Sequence, residues 1–274
     1  MEGYTPNIEV LYPRVEFPVS TSTPMLSHLV EWAHGEKWPL PLYASAKRRS
    51  AASCQFFISV QDEENSYLRG HVIRGKILYP YAAALVAVWD TLAMSLKVPK
   101  KQISVEFRDL HLYAQPVLHD QRQLRLIVSL HRGTGQFEVL DENSMVATGF
   151  IVDHCNISIE SKTDSKSTCM DINSENVYSL LKIKEFNYSG EFCSIHSVDQ
   201  TLTEALLTWR NNWVTLIDGM LQLNVLRHDH NGISVVKQIR KLSIDINSHN
   251  NNVVKEKIEG ETVLKAEVSD GEYT

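Results

Sequence analysis

The sequence has no run of apolar residues approaching the ~20 needed to cross a bilayer, so no membrane-spanning helix is expected. Its opening, Met1-Glu2-Gly3-Tyr4-Thr5-Pro6, has neither the basic nor the apolar region of a signal peptide. Cysteine is scarce. The four residues (Cys54, Cys155, Cys169, Cys193) are scattered with no CxxC, which suits free thiols in a reducing cytosol better than a disulfide framework. Positive charge is in short supply too: the formal net charge is -6, which argues against a nucleic-acid partner. Lys47-Arg48-Arg49 is the one short basic cluster, and its small, polar neighbours read as a solvated loop. A metal site is not expected either. The trio His228-Asp229-His230 runs straight into Asn231-Gly232, a strong turn signal.

What is present is an ordinary core-forming composition, 274 residues of which 43% are hydrophobic and 22% charged. Prolines crowd residues 1–40, which read as a linker entering a domain. Cys54 to Val60 suits a strand, closed by a polar turn at residues 61–66. After Pro80 the stretch Tyr81 to Leu96 is apolar nearly all round, which predicts a buried helix opened by the proline. Strand-like runs follow at Ile103–Leu112, Gln123–Leu130, Gly135–Leu140 and Met145–Ile159. Residues 161–176 read as a polar connector. The order then recurs in outline: a short helix near Tyr178–Lys184, a second buried helix around Trp209–Leu226, and strands at Ser234–Ile246 and Val253–Val268. Two α+β half-domains are expected, at 41–160 and 177–274, each a buried helix wrapped by an antiparallel sheet.

Two motifs carry chemistry. The first, His71-Val72-Ile73-Arg74-Gly75-Lys76-Ile77-Leu78-Tyr79-Pro80, fits HxxxGxxxxP, a triple that composition alone yields about 0.02 times per chain. The second is Asn211 to Gln222, in which Asp218 and Gln222 lie four apart and so share one helix face. Trp209, Trp213, Leu216, Ile217, Met220 and Leu221 surround that face with apolar groups, and desolvation there favours a neutral, proton-donating carboxyl. Taken singly, a histidine before a helix or an aspartate within one is more often structural. Together, in this order and about 150 residues apart, they read as a site.

At these two motifs the sequence resembles the dehydratase domains of fatty acid and polyketide synthases. Polyketide dehydratases usually write HPxxxDxxxQ at the second motif. Trp213-Val214 replaces that His-Pro, as in animal fatty acid synthases. The segments Leu11 to Val19 and Thr23 to Leu26 resemble the join between acyltransferase and dehydratase in those synthases. Phe186 to Phe192 resembles a GYxYGxxF segment that lines the substrate tunnel. Phe186 stands at its start in place of glycine, so Tyr188 and Gly190 alone are carried over. Val30 to Gly35 stands where the family has WDHS, but Ala33 and Gly35 depart from it, and His34 is given no catalytic role.

The resemblance implies a double hot-dog fold and a dehydratase acting on 3-hydroxyacyl thioesters, with His71 as proton acceptor, Asp218 as proton donor and Gln222 orienting the acid. Gly75, Pro80, Tyr188 and Gly190 are the expected substrate-binding positions. No cofactor is expected on the domain itself; the substrate would arrive on the phosphopantetheine arm of an acyl carrier protein. Other synthase domains are further expected partners, in a cytoplasmic synthase that is dimeric largely through those domains. The family would continue with a further strand after Val268, so an exposed sheet edge is expected near the end of the second half. The rival reading is a non-catalytic dehydratase-like scaffold or acyl-binding domain; a hot-dog thioesterase would not need either motif.

Overall fold

A computed structural model describes residues 51–142, 144–153, 172–227, 236–255, 257–258, 261–269 and 272–273. The expectations for residues 1–40, for 161–171 and for His228-Asp229-His230 lie outside them. In the first half β1 (Ala51–Ile58) leads to a 3-10 helix, Glu63–Gly70, where the sequence suggests only a turn. A hairpin follows, β2 (His71–Ile73) and β3 (Lys76–Ile77), which the sequence reading did not anticipate. Its two-residue turn, Arg74-Gly75, puts both residues at positive φ, 52° and 68°. That is the primed turn whose twist matches a hairpin.

Helix α1 occupies Tyr81–Leu96, the bounds read from the sequence, with Pro80 just outside its first turn. Apolar nearly all round, it is buried nearly all round as far as Ala93: Ala82, Ala84, Leu85, Val88 and Trp89 are each 0% exposed, while Met94 and Leu96 in the last turn are exposed. Four strands then wrap it: β4 (Val105–Leu112), β5 (Leu124–His131), β6 (Gln136–Asp141) and β7 (Ser144–Asp153). Period-two burial in β5 turns Leu124, Leu126, Val128 and Leu130 inward, as a sheet with one wet face requires.

The second half repeats the plan with more interruptions. It begins before the expected connector ends, at β8 (Ile172–Asn173) and α2 (Ser174–Ile183), whose first turn Asn173 caps by accepting the Asn176 N–H. Then come β9 (Phe186–Tyr188), β10 (Ile195–Val198) and β11 (Glu204–Thr208). The second buried helix, α3 (Trp213–Arg227), starts later than Trp209 because Asn212 closes its N-terminus, with Oδ1 accepting the Val214 N–H. After β12 (Gln238–Ile244) a helix, α4 (Ile246–Lys255), stands where the sequence suggests strand ends at Ile246 and Val253. Asp245 explains it: the carboxylate accepts from the Asn247 N–H and the Ser248 hydroxyl and so caps a helix start. The chain closes with β13 (Lys257–Ile258), β14 (Glu261–Ser269) and β15 (Glu272–Tyr273).

One sheet runs through both halves in the order β1-β5-β6-β7-β4-β12-β15-β14-β11-β10-β8, with β13 beside β14. The halves meet at β4 and β12, where Leu110, Phe107 and Val105 face Ile239, Leu242 and Ile244. After Val268, where a bare edge is expected, the two-residue β15 pairs antiparallel with the end of β14 and parallel with β12, and Tyr273 is 1% exposed in that seam. A second, three-stranded sheet, β3-β2-β9, also joins the halves, pairing His71 with Tyr188. The two buried helices touch through Trp89 and Trp213, edge to face at 5.2 Å.

Candidate active site

Pairing of β2 with β9 carries His71 out of the first half and sets it against the second. Gly70, the residue before it, makes the approach possible. A Cβ there would collide with the Ser189 backbone carbonyl, and the Ser189 N–H donates to the Gly70 carbonyl at 3.0 Å. Gly219 does the same for the other side of the site. It follows Asp218 on α3, and a side chain there would strike Ser194 Oγ and press on Leu207. Motif reading passed over both glycines because neither belongs to the pattern; their neighbours are distant in sequence.

His71 Nε2 lies 3.5 Å from Asp218 Oδ1, and the two side chains are 2% and 4% exposed. The other ring nitrogen is 2.8 Å from the Leu78 carbonyl. A carbonyl can only accept, so Nδ1 carries a hydrogen, and in a neutral imidazole Nε2 is left as the free base. The backbone holds this geometry: the Leu78 N–H returns to the His71 carbonyl at 3.1 Å, and Pro80 opens α1 two residues on. The start of α1 therefore lies beside the imidazole.

Asp218 is held from behind. Gln222, one turn along α3, donates from Nε2 to Asp218 Oδ2 at 2.8 Å and to the Phe192 carbonyl at 3.0 Å. Gln222 Oε1 accepts from the Tyr178 hydroxyl at 3.1 Å, and that hydroxyl accepts the Ile195 N–H at 2.9 Å. Tyr178 was missed as a functional candidate, since its contact is to a residue far along the chain and no local pattern marks it.

Aromatic rings enclose the pair. The His71 ring is 5.4 Å from that of Tyr188 and 5.1 Å from that of Phe192, which stacks at 5.9 Å on Tyr67. Burial pushes the Tyr188 phenol well above its ordinary range, so it stays a neutral O–H. Tyr188 thus belongs to the ring enclosure around His71. Gly190 does not: it is exposed, with φ of 62°, and its carbonyl accepts from Arg210 at 3.1 Å. Glu185, one residue before Phe186, has a positive φ of 65°.

Gly75 is likewise set apart from the pair. It lies in the hairpin turn, beyond the rungs His71–Leu78, Val72–Ile77 and Ile73–Lys76, and nothing lies within 4 Å of where a Cβ would sit. The turn needs its positive φ; close approach at the site is the property of Gly70 instead.

Two buried helices, each wrapped by its part of a shared antiparallel sheet, with a histidine from one half facing an aspartate from the other, define a double hot-dog domain. Solved structures agree. The dehydratase domain from the CurF module of curacin polyketide synthase superposes with a TM-score of 0.61 at 17% identity, over 81% of this chain and 84% of that one. The CurK-module dehydratase gives 0.58 at 15% identity, over 81% and 83%. A trans-AT polyketide synthase dehydratase domain from Brevibacillus brevis gives 0.55 at 15% identity, over 81% and 83%. No protein-family model matches the chain. The chain has the fold of polyketide-synthase dehydratase domains.

Proposed function

We propose that this domain is a 3-hydroxyacyl-thioester dehydratase, a hydro-lyase that forms the trans-2-enoyl thioester in fatty acid synthesis. The observation that carries the reading is the 3.5 Å approach of His71 Nε2 to Asp218 Oδ1, both buried and contributed by opposite halves. Structures of the CurK dehydratase include a histidine-to-phenylalanine variant and an aspartate-to-asparagine variant, both described as inactive. One essential imidazole and one essential carboxyl in a relative of the same fold support giving these roles to His71 and Asp218. Trp213-Val214, in place of the polyketide His-Pro, favours an animal-type fatty acid synthase, acting in the cytoplasm.

The chemistry needs a base for a weakly acidic C2 hydrogen and an acid for a poor leaving group at C3. His71 Nε2 takes the C2 proton. Asp218 gives its Oδ1 proton to the C3 hydroxyl, the C3–O bond breaks, and water leaves. The site then holds an imidazolium and a carboxylate 3.5 Å apart, and return of the proton from Nε2 to Oδ1 restores both groups. Charge developing on the thioester carbonyl is met by the N-terminal end of α1, which Leu78 and Pro80 hold against His71. Pro80 shapes this end without contributing an N–H, and Tyr188 walls the acyl chain. The substrate comes on the phosphopantetheine arm of an acyl carrier protein, and other synthase domains supply dimerisation.

The test is turnover of a 3-hydroxyacyl pantetheine thioester, followed by absorbance of the conjugated product. Wild type should dehydrate it, and His71→Ala and Asp218→Asn should each lose roughly 10²–10⁴-fold in kcat. A folded wild-type protein with no turnover would overturn the reading and favour a scaffold.

A further inference from the structure

We infer that Tyr178 is a positioning residue that, through Gln222, fixes which oxygen of Asp218 carries the acid proton. This rests on the reading of Asp218 as the acid. A side-chain amide can be placed two ways round, and here its surroundings choose. The Phe192 carbonyl and Asp218 Oδ2 lie on one side of Gln222, at 3.0 and 2.8 Å, and both accept. The Tyr178 hydroxyl lies on the other, at 3.1 Å. The two N–H groups of Nε2 therefore face the two acceptors, and Oε1 faces the phenol. Turning the amide over would set Oε1 against the Phe192 carbonyl, with no hydrogen between them.

Tyr178 makes the arrangement one-way. Its oxygen already accepts the Ile195 N–H at 2.9 Å, a backbone donor that cannot be reversed. Its own hydrogen is left to donate, to Gln222 Oε1 or to the Phe192 carbonyl at 3.2 Å. Burial pushes the phenol far above its ordinary range, so that hydrogen is present at any working pH. The relay runs from Ile195 N–H to Tyr178, from Tyr178 to Gln222, and from Gln222 to Asp218 Oδ2. Because Oδ2 is committed to accepting, the proton of the acid sits on Oδ1, the oxygen that faces His71. Without the phenolic hydroxyl, Oε1 loses its donor, the amide is anchored through Nε2 alone, its donation to Oδ2 slackens, and the acid proton is shared between two oxygens, only one of them useful.

The experiment is a double-mutant cycle on kcat and KM for the same thioester, using Tyr178→Phe, Gln222→Ala and the double variant, with Asp218→Asn alongside. Tyr178→Phe should lower kcat about tenfold with KM nearly unchanged, as expected for losing one hydrogen bond that acts on the acid alone. The double variant should be no slower than Gln222→Ala, because Tyr178 acts only through that amide. A tyrosine that merely packs would give effects that multiply, and that result, or wild-type kcat in Tyr178→Phe, overturns the inference. Should Tyr178→Phe fail to fold, Gln222→Glu tests the same relay. Its carboxyl oxygen would face Oδ2 and draw the shared proton to the wrong side, so unaltered kcat there overturns the inference as well. Full activity in Asp218→Asn would instead bring down the dehydratase reading, so the two failures are told apart.

Discussion

Helices α1 and α3 occupy equivalent places, each buried over most of its surface, and they differ in where their polar groups look for partners. In α1 the buried Thr91 returns its hydroxyl to its own backbone, at the Ala87 carbonyl, and reaches nothing outside the helix. In α3 the buried Asp218 and Gln222 bond to Phe192, Tyr178 and His71, from three other elements. A buried polar group costs stability unless it is partnered, and partners drawn from across the fold are difficult to assemble. Beyond its N-terminal end α1 is core; α3 gives up apolar surface along its middle to hold a site.

The largest expected effect tests this division directly. Leu85→Ala in α1 should destabilise the domain by about 2–5 kcal/mol through the cavity it leaves, with turnover per folded molecule unchanged. Asp218→Asn in α3 should change stability by well under about 1 kcal/mol. The asparagine oxygen can accept from Gln222 where Oδ2 did, and its NH₂ can donate to the free Nε2 of His71, so the buried contacts survive while the acid is gone. Chemical denaturation of both variants gives the answer. A large loss of stability in Asp218→Asn would make α3 as structural as α1.

Next in size is the close approach that brings the halves together at His71. Gly70→Ala should cost about 1–3 kcal/mol, because the obstruction is the Ser189 backbone carbonyl, which cannot swing aside as a side chain would. It should also lower turnover, since spreading β2 from β9 moves Nε2 away from Oδ1. Gly75→Ala, at a positive-φ turn position facing open space, should cost stability through backbone strain and leave turnover per folded molecule intact. Equal effects of the two on turnover would remove the distinction between the glycine that permits contact and the glycine that makes the turn.

These cases also show what the sequence could reveal. The bounds of α1 were legible because proline and an unbroken apolar run are local signals. His71, Asp218 and Gln222 were legible because their spacing is fixed along the chain. Helix α4 was not: Ile246-Asn247-Ser248-His249-Asn250-Asn251-Asn252 has weak helix propensity, and its cap, Asp245, ends what reads as a strand. Tyr178, Gly70 and Gly219 were not legible either, because each is defined by an atom that only folding brings near.

The smallest effect is a pH dependence at the start of α3. His249, on α4, packs against the rings of both Trp209 and Trp213, at 4.4 and 4.3 Å, and burial lowers its pKa from 6.5 to about 4. In the unfolded chain it titrates at its ordinary value, so between these limits the unfolded state binds more protons than the folded one. Stability therefore falls as pH is lowered through that window. Asp199 and Asp245 act at lower pH. Burial raises each, but hydrogen bonds outweigh it, from Thr201, Glu204 and Thr203 to Asp199 and from Ser248, Asn247 and Ser104 to Asp245. With pKa values held below the ordinary carboxylate range, their stabilisation is lost only as pH falls through that range and beneath it. His249→Leu should thus flatten the slope of stability between pH 6.5 and the carboxylate region, leaving the steeper acid limb in place. Denaturation midpoints at several pH values, read by tryptophan fluorescence, will show it. An unchanged slope in the variant would mean that the imidazole is hydrated in the folded protein and that α4 is not packed against the start of α3.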